Sequence, residues 1–256
     1  MNAGLWIWLA AAPLCAQPPS GPDSSALSVS SPSSASSGLL DGFVLPATAP
    51  VTADIVLKGF ERLDSAIKTV QASFSQELQW EGSGASQRAG GRFFYQAPDL
   101  FRIEQSSPEA QVTVSDGRHI WVWRISTNQV IKTRLDAWKR SEPLAQNLLD
   151  LGHYASLLSR YELVGATTAV AASGQRAIDI RLKPRDPKAH FRLVLILSGN
   201  DFFPREALLS AGDLSVRTRF SAVRFNEPVP ESMFRFRPPP DAEVFDNPSL
   251  PGVVNQ

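Results

Sequence analysis

The chain predicts an α+β fold that is mainly β: a long antiparallel meander, one amphipathic helix at its start, and a helical insertion placed as a lid over one sheet face. Three observations carry this. Short runs with apolar residues at a spacing of two follow one another from Ser73 to Phe225, divided by Gly, Pro and Asp turns. One long stretch, residues 53–71, instead repeats its apolar residues at intervals of three and four. Residues 136–159 then interrupt the meander with leucine-rich helical signals.

The helical stretch reads ADIVLKGFERLDSAIKTVQ. Ile55, Val56, Phe60, Leu63, Ile67 and Val70 form one stripe, Thr52 stands as N-cap, and Asp54 favours the positive end of the dipole. Gly59 costs a helix interior about 1 kcal/mol against alanine, so packing has to hold it. In the first strand, 73–80, alternation puts Phe74, Gln76, Leu78 and Trp80 on one face. A Gly/Ser turn at 82–86 leads to the strand 90–96, which Ala97-Pro98-Asp99 ends. Strands at 100–105, 110–115, 119–125 and 129–135 continue, with Asp116-Gly117 as a hairpin turn.

In the insertion, Ser141 caps a helix with Pro143 in its first turn. Leu144, Leu148, Leu149 and Leu151 follow, Gly152 is the stop, and Leu157 and Leu158 mark a second short piece. Strands resume at 160–166, 175–184, 189–198, 202–210 and 214–225. Residues 233–246 hold a last short strand and a Pro-rich exit, and a disordered tail is expected after Asp246.

The N-terminus is of another kind. MNAGLWIWLAAAPLCA has no charged side chain and an apolar run too short to span a bilayer, which fits a secretory signal, residues 1–16. A cut after Ala16 would remove the single cysteine, Cys15; a rival reading keeps Cys15 as a lipidated N-terminus, against the poor fit of Pro13 and Leu14. Residues 17–52 are rich in Ser, Pro, Ala and Gly and read as a flexible linker ahead of the domain at 53–246. Twenty-five basic and 25 acidic residues cancel, so no global charge steers the chain to nucleic acid.

Chemistry-bearing constellations are missing. His119, His153 and His190 stand far apart, no zinc, phosphate-loop or dinucleotide pattern occurs, and Gly82-Ser83-Gly84-Ala85-Ser86 lacks the context of a nucleophile elbow. The expectation is a protein without catalytic residues, metal or cofactor. The apolar residues carry more information. Phe94, Phe101, Ile103, Val112, Val114, Trp121 and Trp123 exceed what one helix and a short insertion can cover. A concave, partly covered apolar cavity for acyl chains follows as the alternative to ordinary core.

Three segments, RLDSAIKTVQASFSQ (62–76), GGRFFYQAPDLFRIE (90–104) and VSDGRHIWVWRISTNQV (114–130), together with the close SMFRFRPPPDAEVFD (232–246), resemble the LolA family of periplasmic lipoprotein carriers. The resemblance spans about residues 53–246 and rests on F-x-Q after the helix, P-x-L-F, and S-D-G-x-x-x-W in combination. It implies an open, unclosed half-barrel with a helical lid over its concave face, in a periplasmic monomer. The cargo would be lipoproteins, held by their acyl chains, received from a LolCDE-type inner-membrane complex and handed to a LolB-type outer-membrane acceptor. By position, Leu63 matches a lid leucine, Phe101 the cavity phenylalanine, and Ile103 a further large apolar site. The family's arginine before that proline, which latches the lid, is Ala97 here, leaving Arg92 or Arg102 as neighbouring substitutes. Two other readings stay open: a membrane-anchored LolB-like acceptor or glycolipid carrier tethered at Cys15, and a lipid-sensing regulatory domain of the envelope.

Overall fold

A computed structural model describes residues 51–141, 151–170 and 175–247. The expected signal, nearly all of the linker and the tail beyond Asn247 lie outside the described residues, as do Pro143, Leu144, Leu148 and Leu149.

Among the described residues twelve strands form one sheet, in the order β12-β6-β5-β4-β3-β2-β1-β11-β10-β9-β8-β7. They are β1 (Thr69–Trp80), β2 (Ala85–Gln96), β3 (Leu100–Ser107), β4 (Gln111–Asp116), β5 (His119–Arg124), β6 (Gln129–Arg134), β7 (Tyr161–Val170), β8 (Arg176–Pro184), β9 (Arg192–Ser198), β10 (Pro204–Ala211), β11 (Leu214–Phe225) and β12 (Glu243–Asn247). Each pair is antiparallel except β12 on β6, which is parallel. The sheet is curved and open, with β12 and β7 as its edges. The predicted fold class is the observed one.

Helix α1 (Ala53–Ala66) buries Val56, Gly59, Phe60 and Leu63. The Thr52 hydroxyl accepts from the Ile55 amide at its start, as the sequence predicts. Its end differs: the stripe implied helix to residue 71, yet β1 begins at Thr69. The reason lies far along the chain. The Asn226 side-chain oxygen accepts from the Lys68 and Thr69 amides at 2.8 and 3.3 Å, and its amide donates to the Ala66 carbonyl at 2.9 Å. One side chain thus closes the helix and starts the strand, satisfying polar groups that a helix end leaves open.

Helix α2 (Leu135–Ser141) begins directly after β6, with buried Leu135 and Trp138 three apart on one side; the helix expected after Ser141 lies outside the described residues. One further expectation is corrected. Residues 233–242 are not strand. A 3-10 turn at Glu231–Phe234 leads into an extended segment, and only Glu243–Asn247, after the prolines, adds to the sheet. Prolines lack the N–H a ladder needs, so pairing waits until they are passed.

Candidate functional site: the covered concave face

Register assigns every strand residue to a face. Phe101 pairs with Ser115, which pairs with Ile120; Ile103 pairs with Thr113, which pairs with Val122. These side chains share the concave face with Phe93 and Tyr95 of β2, Phe74 of β1 and the aliphatic residues of β8 and β9, in one buried cluster. Over them lie α1, α2, and a crossing segment made of the 3-10 turn Tyr154–Ser156 and helix α3 (Leu157–Arg160).

Aromatic rings fill the space between cover and sheet. Phe60 of α1 stacks on Tyr154 with centroids 5.6 Å apart, Tyr154 meets Phe203 edge-on at 6.3 Å, and Phe203 meets Phe220 at 6.0 Å. Phe101 faces Trp138 of α2 at 6.0 Å. The β9–β10 turn is built to present its two phenylalanines inward. Asp201 accepts from the Phe203 amide at 2.9 Å and from Arg205 at 2.7 Å. Phe202 takes φ +59°, a conformation costly for a bulky residue. Its ring lies where Gly59 would carry a Cβ, 2.2 Å from that position. The glycine that weakens α1 in isolation is the socket that seats it.

Polar contacts hold the parts of the cover together and join it to the sheet. Both carboxylate oxygens of Asp64 on α1 accept backbone N–H groups of the crossing segment, from Tyr154 and Ala155, at 2.8 Å each. The Tyr95 hydroxyl lies 2.8 Å from the Leu151 carbonyl and 3.1 Å from that of Pro98, and its single proton serves one at a time. Gly152 at φ +79° passes over that hydroxyl, where a Cβ would stand 2.8 Å away. Lys139 of α2 pairs with Asp99 at 2.6 Å.

Against the residues picked from the sequence, the structure divides the set. Leu63, Phe101 and Ile103 lie in the concave cluster. Phe94, Val112, Val114, Trp121 and Trp123 lie on the opposite face, in register with Arg102 and Glu104. Odd and even positions of adjacent strands had been pooled, although a shift of one residue reverses the face. On that outer face Val112 and Val114 are buried, and Trp121 and Trp123 are half-buried under Phe236 at 5.7 and 6.4 Å. The segment from Glu231 onward forms a strap over them, with Phe234 buried beneath it.

Arg92 and Arg102 also belong to the outer face. They share the Glu104 carboxylate at 2.6 and 2.7 Å, and Arg102 reaches the Met233 carbonyl of the strap at 3.4 Å. Neither contacts the cover of the concave side among the described residues; the hydrogen bonds that reach its elements come from Tyr95 and Asp64. Burial works to raise the Glu104 pKa, but hydrogen bonds and charge from Arg102 and Arg92 outweigh it and hold the group below the usual carboxylate range. Asp116 is likewise held low: burial opposes, while the amides of His119 and Arg118 and the Trp121 indole favour the charged form. Tyr95, Asp64 and Phe202 escaped sequence reading because a hydroxyl, a helix carboxylate and a turn phenylalanine carry no periodic signal.

Among the described residues no group of His, Cys, Asp and Glu could hold a metal ion, and no helix is long and apolar enough to cross a membrane. A profile described as "Outer membrane lipoprotein carrier protein LolA" matches residues 65–237. The chain belongs to the LolA family. An outer-membrane lipoprotein carrier protein of Methylococcus capsulatus is 29% identical over 216 residues, 78% of this chain and 90% of the relative. One from Pseudomonas fluorescens is 30% identical over 178 residues, 69% of this chain and 82% of the relative. The fold also matches an uncharacterized conserved protein of Thermus thermophilus with a TM-score of 0.50 at 16% identity, covering 76% of this chain and 99% of that one. The LolA half-barrel with its lid is thus the architecture of this protein.

Proposed function

We propose that the protein is a periplasmic carrier that takes lipoproteins from the inner to the outer membrane, sheltering their acyl chains between the concave face and its cover. The observation that carries this is the contrast within the site. An extensive apolar face, including Phe101 and Ile103, is closed by elements that pack on it without strand pairing, with Tyr95 bonding to the cover and Asp64 joining two of its parts. Hydrocarbon leaving a bilayer loses about 0.8 kcal/mol per methylene unless a similarly apolar surface receives it. A receiving site must therefore be greasy, and it must open cheaply. Relatives named as outer-membrane lipoprotein carriers support the cargo class. Binding and release need no bond-making chemistry, so the protein works as a carrier and not as an enzyme. Tyr95 and Asp64 take the role of the latch that the family gives to an arginine at the position of Ala97.

On this reading the N-terminal 16 residues are an export signal, the protein is released soluble at Gln17, and the serine-rich linker extends to the domain. Its partners are a LolCDE-type releasing complex and a LolB-type acceptor. The test is release of lipoprotein from inner-membrane spheroplasts by the purified protein. Wild type releases cargo, and Phe101→Glu, which places a charge on the concave face, does not. Normal release by a folded Phe101→Glu variant would remove the concave site. Intact mass of the mature protein separates the anchored alternative, which requires a diacylated Cys15.

A further inference from the structure

The F-x-Q motif puts Gln76 on the same face as Phe74, in the middle of the concavity, and nothing in acyl-chain shelter explains an amide there. Gln76 is 6% exposed. Its Nε2 donates to the Thr218 hydroxyl on β11 at 3.0 Å, and Thr218 is itself 1% exposed. The Gln76 Oε1 is buried and has no hydrogen-bond partner among the described residues. Apolar residues of equal size at both 76 and 218 would have fitted here without leaving an acceptor unsatisfied.

The surroundings keep bulk away from that amide. Along the row crossing four strands, Ala89 pairs with Gln76, Gln76 with Thr218, and Thr218 with Ala207. The next inward-facing row on one side is Phe74 with Phe220, and on the other Leu78 with Val216. A belt of small and polar side chains thus runs between an aromatic row and an aliphatic one. At its centre an anchored amide turns a free acceptor into an apolar concavity.

An unsatisfied acceptor calls for a ligand that brings a donor into hydrocarbon surroundings. A plain acyl chain has none, and an ester linkage has only acceptors. The secondary amide that joins an acyl chain to an amine has one N–H at the head of the chain. Resting on the carrier reading above, we propose that Gln76, held by Thr218, is a recognition site for that N–H and makes the protein selective for amide-linked acyl chains.

Two ligands that differ only at this atom provide the test: N-methylpalmitamide and methyl palmitate, each competing against a fluorescent apolar probe bound to the full mature chain. The readout is the ratio of amide to ester affinity, which cancels chain length. Replacing Gln76 by Leu is expected to lower that ratio roughly tenfold, the worth of one hydrogen bond to a buried group; the variant also loses the bond to Thr218, so its thermal midpoint is read alongside to show that it folds. Gln76→Met serves the same comparison if the branched side chain does not pack. An unchanged ratio in the folded variants, with both ligands still bound, overturns the recognition site and leaves the carrier standing. If neither ligand displaces the probe from wild type, the acyl-binding face and the recognition site fall together.

Discussion

The β3–β6 half of the sheet carries apolar residues on both sides, interspersed on the outer one with Arg102, Glu104 and Lys132, and the two sides are covered in different ways. On the outer side the cover is a strap continuous with the sheet: Phe236 packs on Trp121 and Trp123, Phe234 is buried, and the chain then joins β6 through five paired residues of β12. On the concave side the cover is α1 with the crossing segment, seated by shape at Gly59 and tied by Asp64 and Tyr95. A strap locked by a strand ladder can leave only by breaking the sheet edge. A cover held by side-chain packing and hydrogen bonds shares no strand ladder with the sheet, so its displacement would break no strand pairing. The outer strap is held by strand pairing and the concave cover is not.

That comparison can be broken at several points. The largest expected effect is at the seat of α1. Gly59→Val drives a branched side chain into the Phe202 ring and should cost about 3 kcal/mol of stability, read by denaturant unfolding, together with increased uptake of an apolar fluorescent dye. A stable variant that excludes the dye as wild type does would mean that Phe202 does not govern closure. Trp123→Ala, on the outer side, should cost about 2 kcal/mol for a half-buried indole and leave lipoprotein release unchanged. If release fell in proportion, the outer face would belong to the site as well.

Smaller effects sharpen the same contrast. Tyr95→Phe removes one hydroxyl from the tie to Leu151 and should cost about 1 kcal/mol. Hydrogen exchange should accelerate in residues 151–160 and not in β12; uniform acceleration would refute a local latch. The smallest effect concerns pH. Glu104 and Asp116 have folded pKa values below their ordinary ones, so their stabilisation is present above those ordinary values and is lost as pH falls through the folded ones. The thermal midpoint should therefore drop in acid, and Glu104→Gln should flatten that drop; an unaltered pH profile in the variant would show that the Arg92–Glu104–Arg102 group contributes nothing.

Much of this was legible in the chain. The alternation from β1 to β6, the Asp116-Gly117 hairpin, the α1 stripe with its Thr52 cap, and the resemblance carried by three short motifs led to the right fold. They also led to Phe101, Ile103 and Leu63 in the concave cluster. Those signals are local: a period of two or of three to four, a turn residue, a cap. The mistakes fell where the deciding partner is distant. Asn226 ends α1 from 160 residues away, and the C-terminal strap claims Trp121 and Trp123 for the other face.

What the sequence determined alone was therefore the set of elements and the amount of apolar surface they carry, because periodicity is a property of neighbouring residues. Only the tertiary structure decided which side of the sheet each apolar residue serves, how each side is covered, and that Gly59 and Phe202 answer one another. Those outcomes depend on register and on contacts between segments far apart in the chain, and a single residue's shift in pairing would have reversed them.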